Sequence, residues 1–357
     1  MLCADFSNET LLFELNFPDA DISKPSILNS DLIPEHSLKL LNELWNRKQI
    51  KFPPLQLHLL RNVYVIGEGL VFDNCLNFYT DTRTQHNAHE IANYYNLLQN
   101  AVEQKSIYKN FGSYVLCKKR GAKNFGHWLM EMFPIAFLAK KYIQNDNLKY
   151  LVSDENGLLG RVIRRSLDLI KINSENIIFT NRNPQWFEKL IVVKGLSNHG
   201  VYLSPLVFDA IDDLYNNNNN NSNNLNEYIY ISRKSANHRK FENENEIEEL
   251  FRRGGFSIFD PGEIEFSDQI KLFSGAKKIC GVMGAAMTNI VFCKPSTKIF
   301  IFTPASQIGT FFWLIAQHRK LNYTDVRCHQ IGSVRGIMPW DTDISLDLNL
   351  IKAIINN

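Results

Sequence analysis

His127 and Glu131 stand four residues apart in the run FGHWLMEMFP, a spacing that places both side chains on one face of a helix. A carboxylate in that position can orient the imidazole, so the pair is a candidate general base. The same spacing also fits a structural role, in which His127 satisfies the start of the helix and Glu131 makes an ordinary helix pair. Spacing alone leaves both interpretations open.

A second group of chemically competent residues follows a predicted strand. The apolar and aromatic run Tyr228–Ser232 is typical of a buried strand. The polar and basic residues at its end are Ser232, Arg233, Lys234 and Arg239. Cations at the carboxyl end of a strand can neutralise a phosphate, and we expect these residues to bind an anion.

Small residues join the predicted strand Lys278–Val282 directly to a helical run that extends to about Phe292. A helix that begins there presents unbonded backbone N–H groups and its positive end to a ligand, and a phosphate fits both. The residues that could contact it are Gly284, Ala285, Ala286, Thr288 and Asn289. For Gly284 the alternative is a tight strand-to-helix turn without a ligand.

Strand-like and helix-like runs alternate through the second half of the chain. Predicted helices cover 245–253 and 267–273, and predicted strands at 256–259 and 298–302 complete the pattern. This order is typical of a parallel sheet that binds ligands at the carboxyl ends of its strands. Upstream, the order of predicted elements from 149 to 193 is β-α-β-β, which is compatible with a less regular domain of the same type.

Length and composition indicate a two-domain globular protein. The 357 residues exceed what one core usually supports, and 45% are hydrophobic against 21% charged. Six consecutive asparagines, Asn216 to Asn221, cannot bury apolar area and mark a boundary. We predict an N-terminal domain at 1–215, an Asn-rich linker at 216–226, a C-terminal domain at 227–340 and a final helix in 341–357. The linker is either a functional hinge or a neutral low-complexity expansion.

Charge, cysteine and metal patterns exclude several classes of function. A net charge of +2 gives no reason to expect nucleic acid as a partner. The six cysteines lack C-x-x-C spacing, which favours reduced thiols over a metal site or disulfides. His86 and His89 could share a helical face as metal ligands, but no third ligand is evident nearby. Asp341-Thr342-Asp343 has D-x-D spacing but follows the predicted sheet, so we expect no bound metal.

The N-terminal residues contain acidic side chains and no basic stretch before an apolar core, which argues against a signal peptide. No run of eighteen apolar residues is present, so we expect no transmembrane segment. These features favour a cytoplasmic location. Arg161, Arg164 and Arg165 on a predicted helix fit a solvated face, with an anionic acceptor or a peripheral membrane contact as the alternative.

The motifs together resemble glycosyltransferase family 61. The similarity includes VYVIGEGLVF, FGHWLMEMFP and the region from ISRK through EIEFSDQIKLFSGAKKICGVMGAAMTNIVFCKPSTKI, and it extends from about residue 60 to about residue 350. The resemblance implies an α/β fold with two Rossmann-like domains facing a cleft (GT-B type), with the final helix packing back on the N-terminal domain. One departure is Met283, where the family usually has His, so no role of that His transfers to this chain.

The resemblance also implies inverting transfer of a sugar from a nucleotide diphosphate, with a uridine-diphosphate sugar favoured, to a hydroxyl of a glycan or lipid-linked glycan. We expect this transfer to be metal-independent because no D-x-D lies in a strand-end loop of the donor half. His127 would be the base, and no cofactor is expected besides the donor substrate. Glu263, Glu265 and Gln269 could reach the ribose or base, or could serve only loop solvation and helix capping. A non-catalytic nucleotide-sugar or glycan-binding relative is the alternative. A dehydrogenase or epimerase is disfavoured because Gly67-Glu68-Gly69 lacks the third glycine of a dinucleotide motif.

Overall fold

The computed structural model describes residues 2–218 and 227–357. Most of the predicted linker therefore lies outside the described residues. The chain forms two compact units. Unit 1 comprises Met1–Pro18, Phe52–Asn198 and Leu203–Asn217, and unit 2 comprises Asp19–Lys51, His199–Tyr202 and Asn218–Asn357.

Strands and helices are mixed along the whole described chain. The strands are β1 Cys3–Ala4, β2 Leu11–Leu15, β3 Ala20–Asp21, β4 Ser26–Leu28, β5 Gln49–Ile50, β6 Leu55–Ile66, β7 Leu70–Phe72, β8 Phe78–Tyr79, β9 Tyr108–Leu116, β10 Lys149–Ser153, β11 Ile177–Thr180, β12 Gln185–Lys194, β13 Ser197–Asn198, β14 Tyr202–Leu203, β15 Tyr228–Ile231, β16 Ser257–Phe259, β17 Lys278–Val282, β18 Lys298–Pro304, β19 Asn322–Ile331 and β20 Asp343–Ser345. The α-helices are α1 Glu35–Trp45, α2 Ala88–Glu103, α3 Phe125–His127, α4 Phe133–Tyr142, α5 Gly157–Leu169, α6 Pro205–Asn217, α7 Glu244–Arg253, α8 Phe266–Gly275, α9 Phe311–Arg319 and α10 Leu348–Asn356. Within the described residues, no helix is long and apolar enough to span a bilayer.

Unit 1 is built on a nine-stranded mixed sheet. β12, β9, β10 and β11 are parallel neighbours, whereas β6 pairs antiparallel with both β12 and β7. The expectation of a Rossmann-like first domain therefore holds only for the parallel part. The physical reason is the turn between β6 and β7, where Gly67 and Gly69 adopt positive φ values of 65° and 96° and close a hairpin.

Unit 2 contains the parallel sheet that the alternating pattern predicted. Its strand order is β16-β15-β17-β18-β19, with every one of these pairs parallel, and β4 and β20 also pair with β19. In chain order this is the doubly wound arrangement 2-1-3-4-5. The helices α7, α8 and α9 follow β15, β16 and β18, as the sequence pattern indicated.

Two predicted boundaries need correction. Asp19–Lys51 belongs to unit 2, because β4 adds to its sheet by pairing with β19. The final helix, α10, packs within unit 2, where Ile351 and Ile354 join the core beside Phe251 of α7. Strand pairing and core packing between segments far apart in the chain produce no local sequence pattern. Composition therefore could not assign these two segments to a unit.

The run FGHWLMEMFP, whose His127–Glu131 spacing indicated a helix, is not one regular α-helix. Instead, a five-residue π-helical segment, Trp128–Met132, separates α3 from α4. Every residue of that segment is buried, including Glu131. π-Helical turns inside helices occur often at functional sites, and this one carries the carboxylate of the candidate base pair.

Candidate functional site

The cationic residues and the small-residue turn meet at one place in unit 2. β15 and β17 are adjacent parallel strands, and the chain leaves them toward opposite sides of the sheet. Such a switch point opens a crevice at the carboxyl ends of the strands. Arg233 follows β15, and Gly284 follows β17, so both lie at this edge. We refer to Arg233, Arg239 and Gly284 together as the Arg233 site.

Contact between Arg233 and Gly284 is unusually close. A Cβ atom built on residue 284 would lie 1.8 Å from Arg233 Nη1. Gly284 itself has extended backbone, with φ 177°, so a larger residue there would displace the guanidinium rather than strain the backbone. The guanidinium also donates from Nε to the carbonyl of Arg239 at 2.9 Å and from Nη2 to the carbonyl of His238 at 3.1 Å.

The Arg233 site carries positive charge that the protein only partly offsets. Burial, followed by the neighbouring guanidinium of Arg239, lowers the pKa of Arg233 to about 10. Burial also lowers the pKa of Arg239, against the opposing effect of Asp341, whose Oδ1 lies 3.4 Å from Arg239 Nε. Arg233 nevertheless stays charged at neutral pH. An anion bound here would relieve the cost of holding two half-buried guanidinium groups together.

Ser232 is buried beside the Arg233 site and forms a hydrogen bond to α7. Its hydroxyl donates to Glu248 Oε1 at 2.8 Å, and Glu248 also accepts from Arg252 at 3.0 Å. Glu244 accepts from the Tyr230 hydroxyl at 2.7 Å, and burial raises the pKa of this carboxyl. Sequence reasoning missed both acids of α7 because they read as ordinary helix charges.

The small-residue turn starts a 3-10 helix, Ala285–Phe292, rather than an α-helix. Thr288 and Asn289 are buried within it. In the part of the chain that the structure describes, Thr288 Oγ1 and Asn289 Oδ1 have no hydrogen-bond partner. A buried water is the usual partner of such atoms.

The side-chain amide of Gln269 makes its hydrogen bonds within the protein. Its Nε2 donates to the carbonyls of Pro261 and Ile264 at 2.8 and 2.9 Å, and its Oε1 accepts from Asn289 Nδ2 at 2.9 Å. It orients Asn289 and has little capacity left for a ribose or base. Glu263 and Glu265 are exposed at the turn before α8, and Lys234 is exposed beside Arg233.

Met283 is paired with a residue that no motif indicated. Gln307 Nε2 lies 3.2 Å from the Met283 sulfur, and both side chains are buried. A thioether is a weak acceptor, so this contact holds the amide loosely. Gln307 follows β18, the next parallel strand, and therefore lies on the same edge of the sheet as Gly284.

In unit 1, His127 and Glu131 are in direct contact. His127 Nδ1 lies 2.9 Å from Glu131 Oε1, and Lys119 Nζ pairs with the other carboxylate oxygen, Oε2. The Glu131 side chain is fully buried, whereas those of Lys119 and His127 are 11% and 14% exposed. We call these three residues the Glu131 triad. The sequence indicated two of its members and missed Lys119.

Local structure holds the imidazole of His127 in place. Asn124 caps α3, because its side chain accepts from the backbone N–H groups of Gly126 and His127 at 2.8 and 3.4 Å. Gly121 has a positive φ of 88°, and a Cβ there would lie 2.9 Å from His127 Cδ2. The helix-start interpretation of His127 therefore applies to Asn124 instead, and the imidazole is directed to Glu131.

The side chains of the two sequence patterns considered as metal ligands have other partners or lie on different elements. Asp341 pairs with His238 and Arg239, and Asp343 pairs with Arg335. His86 precedes α2, which begins at Ala88, so it does not share a helical face with His89. The described cysteines are all free thiols, four of them buried and two, Cys3 and Cys75, exposed.

Residues 125–300 match the family model described as Glycosyltransferase 61. The matched range begins at α3, just before His127, and ends in β18, so it contains His127, Glu131, Arg233 and Gly284. None of the curated proteins matches the chain. The family match, together with the motifs and the parallel sheet of unit 2, assigns the chain to glycosyltransferase family 61.

Proposed function

We propose that this glycosyltransferase inverts the anomeric centre of a sugar while moving it from a nucleotide diphosphate, with uridine diphosphate as the favoured carrier, to a glycan hydroxyl. The observation that carries the proposal is the Arg233 guanidinium held against Gly284 at the switch point of a parallel sheet. Residues with this chemistry at this place suit a diphosphate.

The donor step requires stabilisation of the leaving group. When the bond between the anomeric carbon and the phosphate oxygen breaks, the diphosphate gains negative charge. Arg233 and Arg239 interact more strongly with that charge than with the intact donor, so they lower the barrier rather than only binding substrate. Two cations fill the role that a divalent metal has in other transferases, which supports metal-independent transfer.

The acceptor step requires a base. His127 would remove the proton of the acceptor hydroxyl as its oxygen attacks the anomeric carbon, and Glu131 would hold the imidazole through Nδ1. A positioned base contributes roughly 10²–10⁴-fold in rate. Donor binding is thus assigned to unit 2 and proton transfer to unit 1. The GT-B type arrangement, a lipid-linked acceptor, peripheral membrane contact and a cytoplasmic location remain predictions.

Thermal unfolding in the presence of nucleotide diphosphates and their sugars tests the donor assignment, because a ligand that binds only the folded state raises the melting temperature. UDP or a UDP-sugar should raise it without Mg²⁺, and Arg233→Ala should abolish the shift. Arg253→Ala is the matched control, since that side chain is 75% exposed and pairs with Glu249. Absence of a shift with every nucleotide would overturn the donor assignment.

Turnover separates the transferase from a binding protein of the same fold. Wild-type protein should transfer sugar from the donor that gives the shift, and His127→Ala should lose most of this activity while keeping the donor-induced shift. Full activity in His127→Ala would remove His127 as the base. Binding without any turnover in the wild type would favour the non-catalytic alternative.

A further inference from the structure

Glu131 binds a different group through each carboxylate oxygen. Oε1 contacts His127 Nδ1, and Oε2 contacts Lys119 Nζ. The side chain of Glu131 is completely excluded from solvent, within a π-helical segment whose residues are all buried. A carboxylate in such a place is expensive to ionise unless a cation and hydrogen bonds compensate for lost water.

Lys119 supplies that compensation from a separate part of the fold. It follows β9, and two arginines near it are paired with other acids. Arg120 donates to Glu90 at 2.9 Å, and Arg182 donates to Glu68 at 2.6 Å. Glu68 also accepts from the backbone N–H of Gly121 at 3.3 Å, which anchors the segment after Lys119.

The ion pair between Lys119 and Glu131 bears on which ring nitrogen of His127 carries hydrogen. With an ammonium on Oε2, Glu131 is a carboxylate, and a carboxylate only accepts hydrogen bonds. A neutral imidazole that places hydrogen on Nδ1, the nitrogen 2.9 Å from Oε1, has its lone pair on Nε2. A base needs that lone pair to face its substrate, so the tautomer matters as much as the position of the ring.

We propose that Lys119 is a positioning residue for catalysis: it keeps Glu131 a fixed acceptor and thereby sets the tautomer and orientation of His127. The inference rests on the proposed base role of His127, but Lys119 acts through Glu131 and need not touch substrate. Lys119→Arg retains a cation that can bind a carboxylate, whereas Lys119→Met removes it at similar length.

Long-range ¹H–¹⁵N NMR of histidine-labelled protein tests this without any substrate. At a pH where the imidazole is neutral, wild-type His127 should show hydrogen on Nδ1 and none on Nε2, with assignment from His127→Gln. Lys119→Met should lose this single-tautomer signature and Lys119→Arg should retain it. Lys123→Met is the matched control, because Lys123 is an exposed neighbour in the same segment. An unchanged His127 signature in Lys119→Met would overturn the proposal.

Urea unfolding covers the case in which Lys119→Met folds poorly. If the variant fails because Glu131 is left as an unpaired buried charge, then Lys119→Met/Glu131→Gln should regain part of the lost unfolding midpoint. Equal or greater loss in the double variant would show that Lys119 serves packing and would contradict the proposal. Neither measurement depends on turnover, so failure here is distinct from failure of the transferase assignment.

Discussion

Arg233 is the residue whose surroundings most strongly support our proposal of anion binding. Its guanidinium is anchored by two backbone carbonyls and pressed against Gly284, while Arg239 adds a second positive charge nearby. The charges of Glu244 and Asp260 favour the ionised form of Arg233. Asp341 contacts Arg239 and His238.

Gly284→Ala should weaken nucleotide-diphosphate binding by at least tenfold, since the added methyl group would overlap Arg233 Nη1 and displace the guanidinium. Isothermal titration calorimetry with UDP measures the loss. The stability cost of the same substitution should largely disappear in an Arg233→Ala background, where nothing is left to clash. Additive stability effects of the two changes would contradict this account.

Lys118 is a buried cation held by oxygens rather than by a carboxylate. Its Nζ donates to Thr180 Oγ1 at 3.3 Å and to the Asn181 carbonyl at 2.5 Å. Burial lowers the pKa of Lys118 to about 8, from 10.5 in an exposed lysine. Between these values the unfolded chain binds more protons than the folded one, so stability should rise with pH in this window.

The rise attributable to Lys118 between pH 8 and 10.5 should be about 3 kcal/mol in unfolding free energy. Urea unfolding at several pH values measures it as the difference in slope between wild type and Lys118→Met. The exposed Lys123→Met should keep the wild-type slope. A Lys118→Met slope equal to that of the wild type would show that the ammonium is solvated in the folded state.

At the scale of elements, the short helix α3 and the π segment after it decide where His127 lies. Asn124 is the residue that starts this arrangement, because it accepts from two backbone N–H groups of the first turn. The π segment then places Glu131 inward, with Lys119 beside it. A regular α-helix through 125–142 would alter the register after His127 and change the relation of the two side chains.

Asn124→Ala should lower the unfolding free energy by about 1 kcal/mol, as expected for loss of an N-cap, and should also disturb His127. Asn87→Ala is a matched control. Asn87 caps α2 in a capping box with Glu90, so its loss should cost similar stability without changing the NMR signature of His127. If both variants leave His127 unchanged, the cap does not position the imidazole.

At the scale of the whole chain, the sheets of the two units differ in strand direction. Unit 2 has a parallel sheet whose carboxyl edge carries the Arg233 site, whereas unit 1 combines a parallel part with an antiparallel hairpin. The small-residue turn that we propose for the diphosphate follows β17 in the sheet of unit 2. The location of bound nucleotide is therefore a test of the whole assignment.

Hydrogen exchange with and without UDP should show slower exchange of backbone amides at 232–239 and 283–289, the segments that follow β15 and β17. Bound ligand suppresses local opening of the backbone that it contacts. Mass spectrometry of peptic fragments measures the change. Protection confined to 118–131 would place the nucleotide at the Glu131 triad and contradict the division of roles.

The sequence alone determined the alternation of strands and helices in unit 2, because hydrophobic period, caps and small-residue turns are local signals. The predicted strand Lys278–Val282 agrees with β17 at both ends, and the predicted helix 245–253 differs from α7 by one residue. The motifs also indicated the family, and they selected His127, Glu131, Arg233 and Gly284.

Tertiary structure alone decided which of these residues are in contact. The contact of Arg233 with Gly284 and the pairing of β4 with β19 join segments that are distant in the chain, and the ion pair of Lys119 with Glu131 joins two different elements. The tertiary structure also showed that the side chains of Ser232 and Gln269 form hydrogen bonds within the protein. Such relations depend on sheet order and packing, which arise from burying apolar surface across the whole unit and leave no pattern at any fixed spacing.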